Sequence, residues 1–234
     1  MKIINNTKLI KRNKKLSQIV LYTSMALLSL GFIWSITNPG SSQATFAYII
    51  LIPAYILVQV SIFMANRWGR SPSPDEIVSN ALKGLNNQYA LYNYSTSVPH
   101  LLVGPAGIMI IKPYHHTGEI SYNPDKKKFE QKGGPNFLSK IFAQEKLPNL
   151  ISESKLLISD FHNFLKINHI EDVYTPTIVN LFYSEKAILK TKNAPETTLE
   201  VDKLKDYVRQ TAKNVNMSDG EIGKLIERFP SSAN

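Results

Sequence analysis

Two long apolar runs dominate the pattern along the N-terminal third of the chain. They cover residues 18–37 and 44–66, and no Asp, Glu, Lys or Arg occurs anywhere in residues 16–66. Because about 20 apolar residues at about 1.5 Å per residue cross the hydrocarbon layer, each run is long enough to span a bilayer. Asn38, Pro39 and Gly40 begin the segment between the runs and favour a tight turn. The pattern therefore predicts two transmembrane helices joined as a hairpin.

The chain after residue 70 has the shorter, mixed pattern of an α/β domain. A helix-start signature at Ser73, Pro74 and Glu76 opens it. Strand patterns then occupy residues 89–94, 98–103, 108–111, 118–122, 126–132 and 177–183. Helical periodicity covers residues 150–167 and 201–215, and a closing helix ends near Phe229. We therefore predict one α/β domain over residues 71–234, with a meander at its start.

Charge is distributed unevenly, and its distribution predicts a topology. The chain holds 27 Lys and Arg against 18 Asp and Glu, a net charge of +9. Six basic and no acidic residues precede the first run, Arg67 and Arg70 follow the second, and residues 71–234 hold 19 basic against 18 acidic residues. This excess predicts that residues 1–15 form a basic cytoplasmic arm and that both termini are cytoplasmic. We expect a protein of the cell membrane with two spans, in contact with the lipid bilayer.

A cleaved signal peptide is the other interpretation of the first run, with Ser42, Gln43 and Ala44 as the cleavage site. The run is longer than the apolar core of most signal peptides, and a second apolar run follows at once. The hairpin is therefore the favoured interpretation. Because no charged residue lies in either run, we do not expect the hairpin to form an ion or proton pathway.

One segment of the domain resembles a known family. Residues 98–120 read VPHLLVGPAGIMIIKPYHHTGEI, an apolar strand, a Gly-Pro-Ala-Gly turn and a second apolar strand. This segment is similar to the core of the nuclease-related domain (NERD) family, which is related to the PD-(D/E)xK nucleases. The resemblance extends from Glu76 to about Val208. It implies a restriction-endonuclease-like mixed sheet of the α/β class, following the two-helix transmembrane hairpin.

The positions that carry the chemistry in that family differ in this chain. In such nucleases an Asp and a Glu hold a divalent metal and a Lys orients the attacking water, for phosphodiester hydrolysis. By the resemblance, Pro99 stands at the Asp position, Lys112 at the Glu position and Tyr114 at the Lys position. Glu76 alone matches an acidic position, and a helix-capping role explains it equally well. Because Mg²⁺ prefers oxygen ligands, we expect an inactive domain with no metal and no other cofactor.

Two functions from different classes are compatible with these residues. The favoured one is an integral membrane protein whose nuclease-related domain is catalytically inactive and acts as a binding or scaffolding module for a lipid, nucleic acid or protein. The alternative is a membrane-anchored nuclease that uses Mg²⁺ or Mn²⁺ and displaced residues. The candidates near the lost site are His115, His116, Glu119 and Glu130. Adjacent histidines on a strand point to opposite faces, which disfavours ligation of one metal ion by both. The sequence indicates no oligomeric state for either function.

A dense basic cluster lies within the domain, at Lys126, Lys127, Lys128 and Lys132 around Phe129. Basic residues beside aromatics can contact nucleic-acid phosphates, and near a bilayer they can contact anionic headgroups. The commoner explanation is a charged sheet edge that prevents pairing with another chain. The four lysines are therefore candidates for phosphate or lipid contact.

Overall fold

The computed structural model describes residues 1–38, 40–134, 146–170, 175–215 and 219–229. These residues form two compact units. Lys8–Ser73 belongs to a helical unit. The α/β unit contains Met1–Thr7, residues 74–134 and the described residues from Lys146 onward. The chain therefore enters the helical unit after Thr7 and returns to the α/β unit at Pro74.

The helical unit consists of two long helices. Helix α1 covers Thr7–Thr37, α2 covers Ser41–Met64, and a π-helical turn, Ala65–Gly69, extends α2. Both helices are long and apolar enough to cross a membrane, by length and composition. Helix α1 begins well before the apolar run, so the second half of the predicted basic arm is helical and not an extended tail.

Small residues repeated every seven positions lie on the buried side of both helices. They are Ser17, Ser24 and Gly31 on α1 and Ala47, Ala54 and Ser61 on α2. A Cβ atom at Gly31 would lie 2.7 Å from Leu51 Cδ2 of α2, so glycine permits this close approach. The hydroxyls of Ser24 and Ser61 each donate at 2.8 Å to a carbonyl of their own helix. The hairpin is thus held by close backbone approach, through a heptad spacing and not a G-x-x-x-G motif.

The α/β unit contains a mixed six-stranded sheet with strand order β1-β2-β3-β4-β7-β9. These strands are β1 Lys2–Asn5, β2 Ala90–Asn93, β3 His100–Gly104, β4 Gly107–Tyr114, β7 Thr177–Phe182 and β9 Thr197–Glu200. Strands β2, β3 and β4 form an antiparallel meander, whereas β1 with β2, β4 with β7, and β7 with β9 are parallel. The predicted α/β class and the opening meander are confirmed.

A second sheet of three strands has the order β6-β5-β8. Strand β5 covers Gly118–Asn123, β6 covers Lys128–Lys132 and β8 covers Ala187–Lys190. Strands β5 and β6 form an antiparallel hairpin, and β8 runs parallel to β5. The basic return strand predicted from the sequence is therefore β6, at one edge of this sheet.

Helices cover both faces of the six-stranded sheet. They are α3 Pro74–Ala81, α4 Leu150–Ile167, a 3₁₀ turn Val201–Lys203 continuing into α5 Leu204–Asn214, and α6 Asp219–Arg228. On one face Ile110 of β4 clusters with Phe161 of α4 and Leu225 of α6. On the other face Met109 clusters with residues of α3 and α5, including Val78. Alternation along β4 thus divides the core into two halves.

Strand β1 is the main departure from the predicted organisation. Residues 2–5 pair in parallel with residues 90–93, with Lys2 opposite Ala90 and Asn5 opposite Asn93. Ile4 is buried in the core and Ile3 is exposed. A four-residue edge strand contains too few residues to show a clear alternation, so the sequence pattern does not distinguish β1 from an unpaired tail. Strands β8 and β9 were missed for the same reason.

Candidate functional site

Two of the residues assigned by the resemblance lie together at the end of β4. Lys112 and Tyr114 are two positions apart on the strand and so project from the same face. Leu101 pairs with Ile110 across β3 and β4. Pro99 lies immediately before β3, which begins at His100. The structure therefore places Lys112 and Tyr114 on one face of β4, with Pro99 outside both strands.

A carboxylate from a distant part of the chain completes this group. Glu153 lies in the first turn of α4, whose N-cap Asn149 accepts a hydrogen bond from Ser152 N at 3.3 Å. Lys112 Nζ donates to Glu153 Oε2, and the Tyr114 hydroxyl donates to the same oxygen at 3.0 Å. We call Lys112, Tyr114 and Glu153 the Lys112 cluster. Sequence reasoning missed Glu153 because it stands 41 positions from Lys112 and only the packing of α4 brings it there.

The Lys112 cluster rests on an apolar floor. The Tyr114 ring stacks on Phe182 of β7 with 5.2 Å between ring centroids, and both belong to a buried cluster with Leu150. The side chains of Lys112 and Glu153 are 17% and 27% exposed, so the ion pair is largely withdrawn from water. Partial burial strengthens the attraction and raises the cost of separating the charges.

The Lys112 cluster does not fit a divalent cation. An ammonium group stands where the resemblance places a metal carboxylate, and it contacts the carboxylate that α4 supplies. A metal ion bound to Glu153 would have to displace Lys112 or lie beside its positive charge. Within the described ranges, no group of three or more His, Cys, Asp or Glu residues could hold a metal ion.

Glu76, the remaining acidic match, lies on a different face of the sheet. It is exposed on α3, whose Val78 packs with Met109 and Ile111. Lys112 occupies the alternate face of the same strand. The structure thus joins Lys112 and Tyr114 but places Glu76 on a helix that packs against the opposite face.

A second polar group, the His100 network, ties β1, β2, β3 and α3 together. His100 Nδ1 lies 2.8 Å from Asn93 Oδ1, and because a carboxamide oxygen can only accept, Nδ1 carries the proton. Asn93 Nδ2 donates to Asn5 Oδ1 at 2.8 Å and to Ser79 Oγ at 3.1 Å. Burial lowers the pKa of His100 to about 3. This histidine is therefore a neutral, hydrogen-bonded strand residue, which agrees with its place in the apolar pattern.

The residues considered for displaced chemistry are engaged at separate places. The His115 ring lies 5.1 Å from that of Tyr183, and the His116 ring lies 5.9 Å from that of Tyr114. Glu119 forms an ion pair with Lys190 at 2.6 Å, on the three-stranded sheet. The histidines therefore contact different aromatic rings.

The basic cluster on the β5–β6 hairpin is partly neutralised. Its four lysines are exposed, and Lys126 and Lys128 lie 3.3 and 3.7 Å from Glu130 Oε1. The hydrogen bond from Lys126 is the main cause of a lowered pKa of Glu130. Phe129 is buried and packs on Tyr122 with ring centroids 5.3 Å apart, so its ring is not available to stack on a base. The geometry favours a charged sheet edge, and phosphate or lipid contact by these lysines stays a prediction.

No family model matches the chain, and no curated protein and no solved structure matches it. The resemblance to the nuclease-related domain therefore stays a prediction from residues 98–120.

We expect Glu153→Gln to destabilise the α/β unit by about 1–3 kcal/mol, because Lys112 loses its carboxylate partner while largely buried. Denaturant unfolding of the full chain in detergent micelles measures this change. Glu130→Gln is the matched control, since its lysine partners are exposed and ion pairs in contact with water contribute little to stability. Adding Lys112→Met to Glu153→Gln should recover part of the loss. Equal effects of the two Glu→Gln changes would contradict a structural role for the pair.

The His100 network predicts a loss of stability in mild acid. The folded pKa of His100 lies at about 3, below the unfolded value of 6.5, so only the unfolded state gains this proton between those values. Its contribution is complete above about pH 6.5 and is lost as the pH falls toward about 3. His100→Asn keeps an N–H at the Nδ1 position but cannot titrate. Unfolding midpoints at about pH 7.5 and about pH 5 should differ more for the unmodified chain than for this variant.

Proposed function

We propose that the chain is an integral protein of the cell membrane whose cytoplasmic domain has a PD-(D/E)xK-like fold without nuclease activity. Its helices form a two-span hairpin, and its domain acts as a binding or scaffolding module at the inner face of the membrane. The observation that carries the loss of activity is the Lys112 cluster, where an internal ion pair replaces the metal ligands.

Exposed apolar side chains support insertion of the helical unit in a bilayer. Ile49, Ile52 and Ile56 of α2 are 60%, 60% and 57% exposed, and Phe32 of α1 is 64% exposed. Soluble monomers rarely expose contiguous apolar patches above a few hundred Å². Hydrocarbon chains would cover these side chains without the cost of hydration.

Strand β1 supports a common compartment for both ends of the hairpin. It precedes α1 in the chain but pairs with β2, which follows α2. Asn6 N donates to Asn93 O at 3.0 Å, so the link extends to the residue before α1. If both helices cross the bilayer, residues 1–6 and the α/β unit lie on the same side. Basic residues at both helix ends favour the cytoplasm.

The Lys112 cluster supports a module that binds and does not cleave. Hydrolysis in this fold needs an oxygen-ligated cation at the position of Lys112, and a fixed ammonium repels such a cation. Lys112, Tyr114 and Glu153 instead join β4 to α4. The cluster therefore stabilises the packing at the place where the family has its chemistry.

The purified full chain should cleave neither single- nor double-stranded DNA or RNA in the presence of Mg²⁺ or Mn²⁺. A chelated sample, Glu76→Ala and Glu153→Gln are assayed beside it. Metal-dependent cleavage that Glu153→Gln abolishes would contradict the proposal, and would favour the alternative of a nuclease with a displaced carboxylate, since Glu153 already lies at the site.

The absence of cysteine from the sequence allows a direct test of topology. Lys127→Cys introduces a thiol in the exposed β5–β6 turn, and Gly40→Cys introduces one between the two spans. A membrane-impermeant maleimide should label Gly40→Cys in intact cells, and Lys127→Cys only after lysis. Labelling of Lys127→Cys in intact cells would place the domain outside.

A further inference from the structure

The first two turns of α1 carry cations on one side. Lys8, Lys11, Arg12 and Lys15 follow the spacing i, i+3, i+4 and i+7, which places them on a single helix face. All four are exposed. We call them the basic stripe. It ends directly before Leu16, the first residue of the uncharged stretch that contains the apolar run.

The basic stripe destabilises the helix on which it lies. Lys8 with Arg12 and Lys11 with Lys15 are like charges four residues apart, an arrangement that destabilises a helix. Cations near the start of a helix also oppose its dipole. The first turn of α1 holds no acidic residue, and the sequence has none in residues 1–74. Neighbouring residues in the chain therefore supply no negative charge to compensate this face.

The length of α1 places the basic stripe next to the hydrocarbon layer. The helix has 31 residues. About 20 residues cross the hydrocarbon, so the stripe continues the helix into the headgroup region. Arg67 and Arg70, which follow the second apolar run, lie at the same end of the helical unit. Gly69 between them approaches α1 closely, because a Cβ atom there would lie 3.0 Å from Ser17 Oγ.

We propose that the basic stripe binds the phosphate headgroups of acidic phospholipids in the leaflet at this end of the hairpin. The proposal rests on the membrane insertion proposed above and names the lipid class that the helical unit selects. Acidic headgroups supply the negative charge that residues 1–74 lack. Because Lys15 lies three residues before the apolar run, the nearest phosphates are those of lipids and not those of a nucleic acid.

The test uses the full chain in detergent micelles, titrated with phosphatidylglycerol or with phosphatidylcholine. Its two tryptophans, Trp34 and Trp68, both belong to the helical unit, so their fluorescence reports the thermal midpoint of that unit. Phosphatidylglycerol should raise the midpoint and phosphatidylcholine should not. The variant K8Q/K11Q/R12Q/K15Q should bind phosphatidylglycerol more weakly, by about fivefold for each cation removed. Raising the salt concentration should weaken binding by the unmodified chain.

A matched control changes the same number of charges elsewhere. K155Q/K166Q/K192Q/K213Q alters four exposed lysines of the α/β unit outside the β5–β6 hairpin and should leave the response to phosphatidylglycerol unchanged. K8R/K11R/K15R keeps the charge and should bind as the unmodified chain does, which tests the proposal even if the glutamine variant does not fold.

Three results would overturn the proposal. They are an unchanged response of the glutamine stripe variant, a lost response of the α/β-unit control, and an oligonucleotide that produces the same stripe-dependent shift. Extraction of the chain from membranes by alkaline carbonate would instead show that the proposed function fails. A chain that stays in the membrane but shows no preference for phosphatidylglycerol would overturn only this inference.

Discussion

The parallel pairing of β1 with β2 joins residues from before α1 and after α2 in one sheet. It makes the segment before α1 part of the sheet that follows α2, so the chain leaves the α/β unit and returns to it. The His100 network reinforces this pairing, because Asn93 contacts Asn5 on one side and His100 on the other. An odd number of membrane crossings between the two strands would be incompatible with their hydrogen bonds. The pairing therefore links the topology of the helices to the stability of the domain.

At the end of β4, a carboxylate from a distant helix pairs with two side chains of the strand. A single carboxylate oxygen of Glu153 accepts from both Lys112 and Tyr114, on the apolar floor that includes Phe182. Such a pair is costly to break and poor at attracting another cation. The residues present at this position thus favour helix packing over metal binding.

The helical unit combines two surfaces with different partners. Small residues such as Gly31 let α1 and α2 approach closely, and large side chains such as Phe32 project outward. The cations of the basic stripe lie beyond the apolar part of α1, where they oppose the helix unless negative charge covers them. Local sequence preferences that disfavour the observed element are expected at functional surfaces. The like charges on α1 are such a case, and they support the proposed contact with lipid headgroups.

Elements with long, local signals could be predicted from the amino-acid pattern. The two apolar helices, the meander and the helix over residues 150–167 follow from periodicity, and the uneven charge follows from counting. Three features became visible only in the folded chain: residues 2–5 form a strand, Glu153 contacts Lys112, and Phe129 is buried. These three features depend on contacts between residues far apart in the chain. Periodicity records which side of an element is apolar but not which distant partner it meets.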